Sequence, residues 1–476
     1  MSDRIHAPLA MLLTALVLGG CTSPVDRQES GIATPSLWNR LTGSPARGTD
    51  LGAPLASAPE AEVEQAWWHH FNDPTLDALI AEGLANNRTL QIAKARVEEA
   101  RAQRGVAQAK LWPNVEIVGS SQRANQGTAT NGKSINSSDI GLQATWELDL
   151  FGRAQARTAE ATAILESEEA TSQGVRVGLL ADIARSYFDL RNAQRQIDLT
   201  SQNLETQKQT LDLIKVQQQG AMASDFDVQR AAAQVSATEA MVPAWETARD
   251  VALNRLAVLL GHPPGSRDAV LVPTQDAPTP DPRIVVAAPA KVLASRPDIR
   301  AAERRYAASL SARDAASAEL FPDISLSALF GIQTATQLTT NPWGLGVRLV
   351  QPVLNFGRIE SQIDAADAVQ KQAFLTYQQT ILNALENMEN ALSGYGHEST
   401  RNLSLTRGVA QNRRAVDLAH NQYANGYTGL LDVLVAQRNL LEAEAAQATS
   451  DADLRRGLVS IYAAAGGGWR DDLTTP

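Results

Sequence analysis

Six histidines and one cysteine are the side chains here most suited to metal binding or nucleophilic chemistry. Their spacing argues against both. His69 and His70 are adjacent and sit beside Trp67 and Trp68, while His262, His397 and His420 are each isolated. No two ligands recur at a zinc-type interval. The histidine pair therefore reads as a packed helix start. The one run of three glycines, Gly466-Gly467-Gly468, follows a helical stretch instead of opening one after a strand, so it is no phosphate cradle. No catalytic constellation remains. The chain does not read as an enzyme, and neither a metal nor a diffusible cofactor is expected.

The cysteine, Cys21, cannot form an internal disulfide because it has no second cysteine to pair with. Its position is informative. Arg4 precedes an apolar run from Ala7 to Leu18, too short to span a bilayer as a helix, and Leu18-Gly19-Gly20-Cys21 follows. This arrangement resembles a bacterial lipobox. The resemblance implies a signal peptide over residues 1–20, cleavage before Cys21, and diacylglycerol plus an N-acyl chain (palmitate-type lipid) on that residue. Thr22 stands where an Asp would hold a lipoprotein at the inner membrane, so outer-membrane sorting is the default. The net charge of −10 argues against nucleic acid as a partner. No other apolar run reaches the ~18–20 residues of a transmembrane helix, so a membrane-spanning form must use strands.

Two stretches say nearly the same thing. Gly141 to Arg153 reads GLQATWELDLFGR, and 205 positions later Gly346 to Arg358 reads GVRLVQPVLNFGR. In the first, Ile140, Leu142, Ala144, Trp146, Leu148 and Leu150 share one face, and Gln143, Thr145, Glu147 and Asp149 the other. Strands of about 10 residues with such alternation suit a tilted bilayer crossing. Phe151-Gly152-Arg153 and Phe356-Gly357-Arg358 then mark strand-to-helix junctions. Lys110-Leu-Trp-Pro113 and Glu319-Leu-Phe-Pro322 likewise correspond at a separation of 209. The chain is therefore an internal duplication. Residues 21–60, rich in Pro, Gly and Ser, read as a lipidated tether with little to bury. The first repeat covers 61–283, with strands about 114–123 and 139–150, a polar loop Ala124–Ser138, and a helical hairpin 153–260 broken near Pro243. The second covers 284–470, with strands about 323–332 and 343–351, a loop Gln333–Pro342, and a hairpin 357–465; residues 471–476 are a tail.

The helix from Arg153 to Gln219 would be roughly 100 Å long at 1.5 Å per residue. Ile183, Leu190, Ile197, Leu204 and Leu211 recur every seven residues, and Met388, Tyr395, Val409, Val416 and Tyr423 do so in the second repeat, with Asn402 a polar exception. Such spacing sets narrow apolar seams on otherwise wetted helices, as in coiled coils. Gly426 and Asp432-Val433 answer Gly220 and Asp227-Val228. Four strands cannot close a barrel alone, and open edges are forbidden in lipid. Several copies sharing one barrel would solve this, and a trimer gives an even count of twelve.

The lipobox, Trp67 to Pro74, the Trp-Pro and Phe-Pro helix ends, Trp146 to Arg153, Arg296-Pro-Asp-Ile-Arg300, Leu431-Asp-Val-Leu434 and Gly466-Gly-Gly-Trp469 together resemble the outer-membrane efflux factors. Within them the chain looks like the NodT/OprM-type lipoproteins, which are similar to TolC. The resemblance covers roughly residues 60–470. It implies a mainly α protein with transmembrane β-strands: a homotrimeric 12-stranded β-barrel continued by a long periplasmic α-helical barrel. It implies a periplasmic adaptor and an inner-membrane RND-type pump as partners, and outer-membrane lipid around the barrel. It also implies a periplasmic aperture with acidic side chains in the lumen. Asp432 matches that acidic position, Asp227 is its counterpart in the first repeat, and Tyr423 adds packing. The alternative is that both are ordinary acids at helix N-termini, a reading that suits Asp227 better than Asp432. Val435 and Thr428 depart from the family, which often has a second Asp and, in some members, a basic residue there. A pore for type I protein secretion and a lipid-anchored periplasmic coiled-coil scaffold are the alternatives.

Overall fold

The alternating stretches fold into one antiparallel sheet, and the regions between them into helices with few interruptions. The computed structural model describes residues 30–39, 55–57, 61–125, 134–266, 271, 284–335 and 338–470. Cys21 and the signal stretch lie outside the described residues. In chain order the elements are β1 (Leu55–Ser57), α1 (Pro74–Asn86), α2 (Arg88–Ala109), β2 (Asn114–Asn125), β3 (Ser134–Leu148), α3 (Arg153–Gln219), α4 (Asp225–Glu239) and α5 (Val242–Leu259). The second half supplies β4 (Ile284–Val286), α6 (Pro289–Ser295), α7 (Pro297–Ser317), β5 (Asp323–Ala335), β6 (Leu338–Thr340), β7 (Trp343–Val350), α8 (Arg358–Ala424) and α9 (Leu430–Ala465). The chain forms two compact units, each drawing on both repeats.

The first unit gathers Ala95–Glu169 and Arg300–Gln379. Its sheet runs β2, β3, β5, β7, with β6 paired to the far end of β5. The register sorts side chains by chemistry. Ile117, Leu142, Phe330 and Trp343 line up as one cross-strand row, and Trp146, Leu326 and Val347 as another on the same face. The opposite face carries Glu147, Ser325 and Arg348 in one row and Ser120, Asp139 and Gln333 in another. The apolar face is open: Ile117, Phe330, Trp343, Leu345 and Val347 are all exposed. Both strand hairpins run further than the apolar alternation predicts. β2 reaches Asn125 and β3 starts at Ser134, inside the expected polar loop, and β6 occupies part of the expected Gln333–Pro342 loop. Cross-strand hydroxyl contacts accompany these polar extensions, Ser121 Oγ to Ser138 Oγ at 2.9 Å and Thr334 Oγ1 to Thr339 Oγ1 at 3.2 Å. Backbone pairing with such side-chain contacts needs no apolar pattern.

The second unit gathers Ile32–Lys94, Ala170–Ile299 and Thr380–Pro476 and holds the main apolar core. Trp67 and Phe71 sit on a short 3-10 turn, Trp67–Phe71, and are fully buried. Trp67 stacks on Tyr462 at 5.5 Å, and Phe71 packs on Phe188 at 4.8 Å. The terminal glycine run is explained here: a Cβ on Gly467 would lie 2.4 Å from the Glu64 carbonyl oxygen, so only glycine lets the chain pass. His69 contacts Asp77 at 3.0 Å, His70 stacks on Tyr462, and His262 contacts Glu82 at 2.7 Å, which places these histidines in packing and pairing roles.

Two expectations change in this unit. The N-terminal stretch is tied down at the points described. Trp38 is completely buried with its Nε1 donating to the Ala287 carbonyl at 2.8 Å, and β1 pairs with β4 in parallel. A bulky indole with a reachable acceptor outweighs the surrounding Pro and Gly composition. The heptad seam of α3 is the expected one at Ile183 and Leu190, both fully buried, and shifts its residues beyond them. Ala193, Thr200, Gln207 and Ile214 are buried, whereas Ile197, Leu204 and Leu211 are only half-buried. Beyond Leu190 the stripe buries an alanine, a threonine and a glutamine before Ile214, so it is only partly apolar. In α8 the expected seam is the observed one: Met388 and Val409 are buried, and Tyr395, Val416 and Tyr423 half-buried. Asn402, its polar member, donates to Asp451 at 2.6 Å.

Asp73 knots this unit together. Its carboxylate caps α1, accepting from the Thr75 and Leu76 amides, and accepts from the Tyr187 hydroxyl at 2.5 Å. Burial, followed by that hydrogen bond, pushes the Tyr187 phenol up to about 12, so it remains a donor. Asp73→Ala is expected to cost about 2–4 kcal/mol, a lost cap plus a stranded buried hydroxyl. Tyr187→Phe, which strands only part of the carboxylate's capacity, should cost less. Thermal unfolding followed by circular dichroism checks both; an Asp73→Ala melt at the parent temperature would remove Asp73 from this role.

Candidate functional site

The sequence-selected residues fall at two places, the strand-to-helix junctions and the hairpin tips. At the first junction Phe151 stacks on Phe321, with ring centroids 4.9 Å apart and planes 9° from parallel. Gly152 takes φ 77, the left-handed turn that lets β3 feed directly into α3. Asp149 caps that helix through the amides of Ala154 at 2.9 Å and Gln155 at 2.7 Å. Arg153 pairs with Glu147 and, at 3.1 Å, with Asp323. Trp146 donates its Nε1 to the Leu111 carbonyl at 3.1 Å. The second junction keeps the turn and one ion pair but not the ring stack. Gly357 has φ 81, Arg358 lies 3.6 Å from Glu319, and Phe356 adopts φ 50 with its ring 91% exposed.

The tips belong to the second unit. Residues Gly220 to Ser224 turn α3 into α4, and the turn after α8 leads into α9. Ile214, Leu430 and Leu434 form a small buried cluster of their own, with Ala223, Val228 and Tyr423 packed against it. Tyr423 donates its hydroxyl to Gln217 Oε1 at 2.7 Å, so the second hairpin is fastened to the first. Burial is the main cause of the raised Tyr423 phenol pKa, and the nearby Asp227 charge adds to it. Asp227 is half-buried and closes a reciprocal capping box with Ser224, Oδ2 to Oγ at 2.6 Å. Hydrogen bonds from the Ser224 side chain and backbone hold its carboxyl below the usual range. The cap is therefore complete above the ordinary aspartate pKa and fades only as pH falls through the lowered one.

Asp432 lies in the first turn of α9, exposed, and its side chain has no hydrogen bond or ion pair among the described residues. Its neighbours Val433 and Leu434 turn inward instead. The tips thus join Tyr423 with Gln217 and the surroundings of Asp227, and leave Asp432 a free surface carboxylate. Val435 is half-buried, and the Thr428 hydroxyl is buried with no hydrogen-bond partner among the described residues. Sequence reasoning missed Gln217, which one polar residue among many on α3 does not advertise. It also missed a polar layer further along the same helices, where Gln437 Nε2 approaches Thr210 Oγ1 at 3.3 Å and His420 Nε2 at 3.1 Å.

The sequence model of the Outer membrane efflux protein family matches residues 79–262 and 288–467, the two repeats in turn. The pyoverdine export outer membrane protein OpmQ of Pseudomonas putida is 31% identical, over 98% of each chain. Nodulation protein T of Rhizobium leguminosarum bv. trifolii is 31% identical, over 85% of this chain and 88% of its own. Among solved structures, the outer-membrane channel OprN superimposes with a TM-score of 0.84 at 33% identity, covering 93% of this chain and 98% of that one. With two matched repeats and a relative at this identity over nearly the whole of both chains, the chain belongs to the outer membrane efflux protein family.

Proposed function

We propose that this chain is the outer-membrane channel of a tripartite efflux system, acting as a homotrimer that receives small molecules from a periplasmic adaptor and an inner-membrane RND-type pump. The observation that carries this reading is a sheet of four main strands and the short β6, with one open apolar face, one polar face and two outer edges that no described strand covers. Exposed Ile117, Phe330, Trp343 and Leu345 suit lipid, and the Glu147–Ser325–Arg348 row suits water. Lipid contact requires the edges to be paired, which other copies supply. Relatives named for pyoverdine export and toluene efflux share the family with different cargo, which supports a conduit whose pump selects the substrate. Exposed Met222, Phe226, Tyr427 and Leu431 at the tips offer an adaptor an apolar landing.

Threefold symmetry turns Asp432 and Asp227 into rings of three carboxylates, a cation-favouring constriction. Tyr423 and its bond to Gln217 hold the hairpins closed at that end. A lipid-modified Cys21 adds an anchor that the barrel does not require.

Planar-bilayer conductance with the mass in detergent tests the whole reading: cation-selective channels of trimeric mass are expected, and an inactive monomer would overturn it. Asp432→Ala should lower the cation-over-anion permeability ratio and raise leak; unchanged conductance and selectivity would remove Asp432 from the aperture. Tyr423→Phe deletes one hydrogen bond of about 1 kcal/mol, so the open-to-closed ratio should rise about fivefold in single-channel records. Cys21→Ser should abolish metabolic labelling by palmitate while channels still form, and persistent labelling would place the lipid elsewhere.

A further inference from the structure

The two halves of the sheet are related by offsets that the pairing register obeys. In the first hairpin Asn114 pairs with Thr145. Moving Asn114 forward by the 209 that separates the two aromatic-proline motifs gives Asp323, and moving Thr145 by the 205 that separates the two Phe-Gly-Arg motifs gives Val350. Asp323 does pair with Val350 in the second hairpin. The duplication is therefore faithful to the single residue.

The same offsets apply to the junction between the halves. β3 pairs with β5 so that Leu148 faces Ile324, and this brings Phe151 onto Phe321. The counterpart of β3 is β7 and that of β5 is β2, whose outer edges no described strand covers. Moving Leu148 forward by 205 gives Val353, and moving Ile324 back by 209 gives Val115. The counterparts of Phe151 and Phe321 are Phe356 and Trp112. Within the chain both are left open: Phe356 is 91% and Trp112 72% exposed. Phe356 also holds φ 50, which an L-residue with a bulky side chain rarely keeps without compensating contacts.

We propose that β7 of one copy pairs antiparallel with β2 of the next, with Val350 opposite Val118 and Trp343 opposite Asn125, and that Phe356 stacks on Trp112 of the neighbouring copy. This rests on the homotrimer reading above and specifies its seam. The register keeps the faces continuous, since odd-numbered residues of both strands share the apolar side; a slip of one residue would turn that side over. It also matches the strand ends, because the first residue of β7 meets the last of β2. The ionic half of the inner junction is not repeated. The positions answering Glu147, Asp323 and Glu319 are Pro352, Asn114 and Lys110, so Arg358 gains no carboxylate across the seam. Backbone pairing and the aromatic stack carry it, with exposed Val353 beside Val115.

The full-length protein with Val118→Cys and Val350→Cys, oxidised in membranes, should give covalent dimers and trimers at least about tenfold above the slipped pair Val118→Cys with Leu349→Cys, whose side chains point to opposite faces. Single-cysteine variants, which retain Cys21, give the background. Trp112→Ala and Phe356→Ala should each lower the temperature at which the trimer dissociates in detergent, and the double variant should fall no further than the weaker single one. Equal cross-linking of the slipped pair, or additive losses, would overturn the seam. The native mass of the unsubstituted protein separates the two levels: a trimer that fails these tests sinks only this register and stack, whereas a monomer sinks the homotrimer on which they rest.

Discussion

Hydrogen-bonding obligation at the edges of the sheet governs this protein. Each uncovered N–H and C=O on β2 and β7 is harmless in water and costs several kcal/mol in hydrocarbon. A sheet of four main strands with an apolar face as open as that of Ile117, Phe330 and Trp343 cannot remain both flat-edged and in lipid. Closure by further copies removes the conflict, and it asks nothing of the chain except that the two ends of its sheet be mutually complementary. An internal duplication provides this without further invention: the contact that joins the two halves within a chain is the template for the contact between chains.

The helices solve a different problem. A chain that surrounds a water-filled path must have little core per residue, and the seams of α3 and α8 accordingly bury small, amide and hydroxyl groups as often as apolar ones. Apolar strength is concentrated instead at Trp67, Phe71, Phe188 and Tyr462, and much more sparingly in the tip cluster of Ile214, Leu430 and Leu434. Local opening draws on regions with few buried apolar contacts. The tip cluster, fastened across the two repeats by the Tyr423–Gln217 bond, is such a region.

Much of this was legible in the residues. The strands, the junction turns, the long helices and the break near Pro243 follow from period-two alternation, Phe-Gly-Arg, uninterrupted helical composition and proline chemistry. Less legible were features whose signal is polar or distant. The serine and threonine extensions of the hairpins look like loops because hydroxyl ladders have no apolar period. Trp38 sits in a stretch whose composition predicts a loose tether, yet its acceptor is 249 residues away. The seam of α3 follows the predicted residues at Ile183 and Leu190 and leaves them beyond, since periodicity fixes a stripe but not which edge of it makes the closest contact.

The sequence by itself determined the duplication and the alternation, and with them which side chains share a face; the pairing register was decided by the folded sheet. The sequence also marked Asp227, Asp432 and Tyr423 as a set. Only the tertiary structure decided how differently they are used. Asp227 is consumed in a capping box with Ser224, Tyr423 in a bond to Gln217, and Asp432 stands free. The physical reason is that a carboxylate in the first turn of a helix is favoured by the same dipole in every context. Whether it also has a local partner depends on the residue three positions before it, which is Ser224 in one repeat and Gly429 in the other.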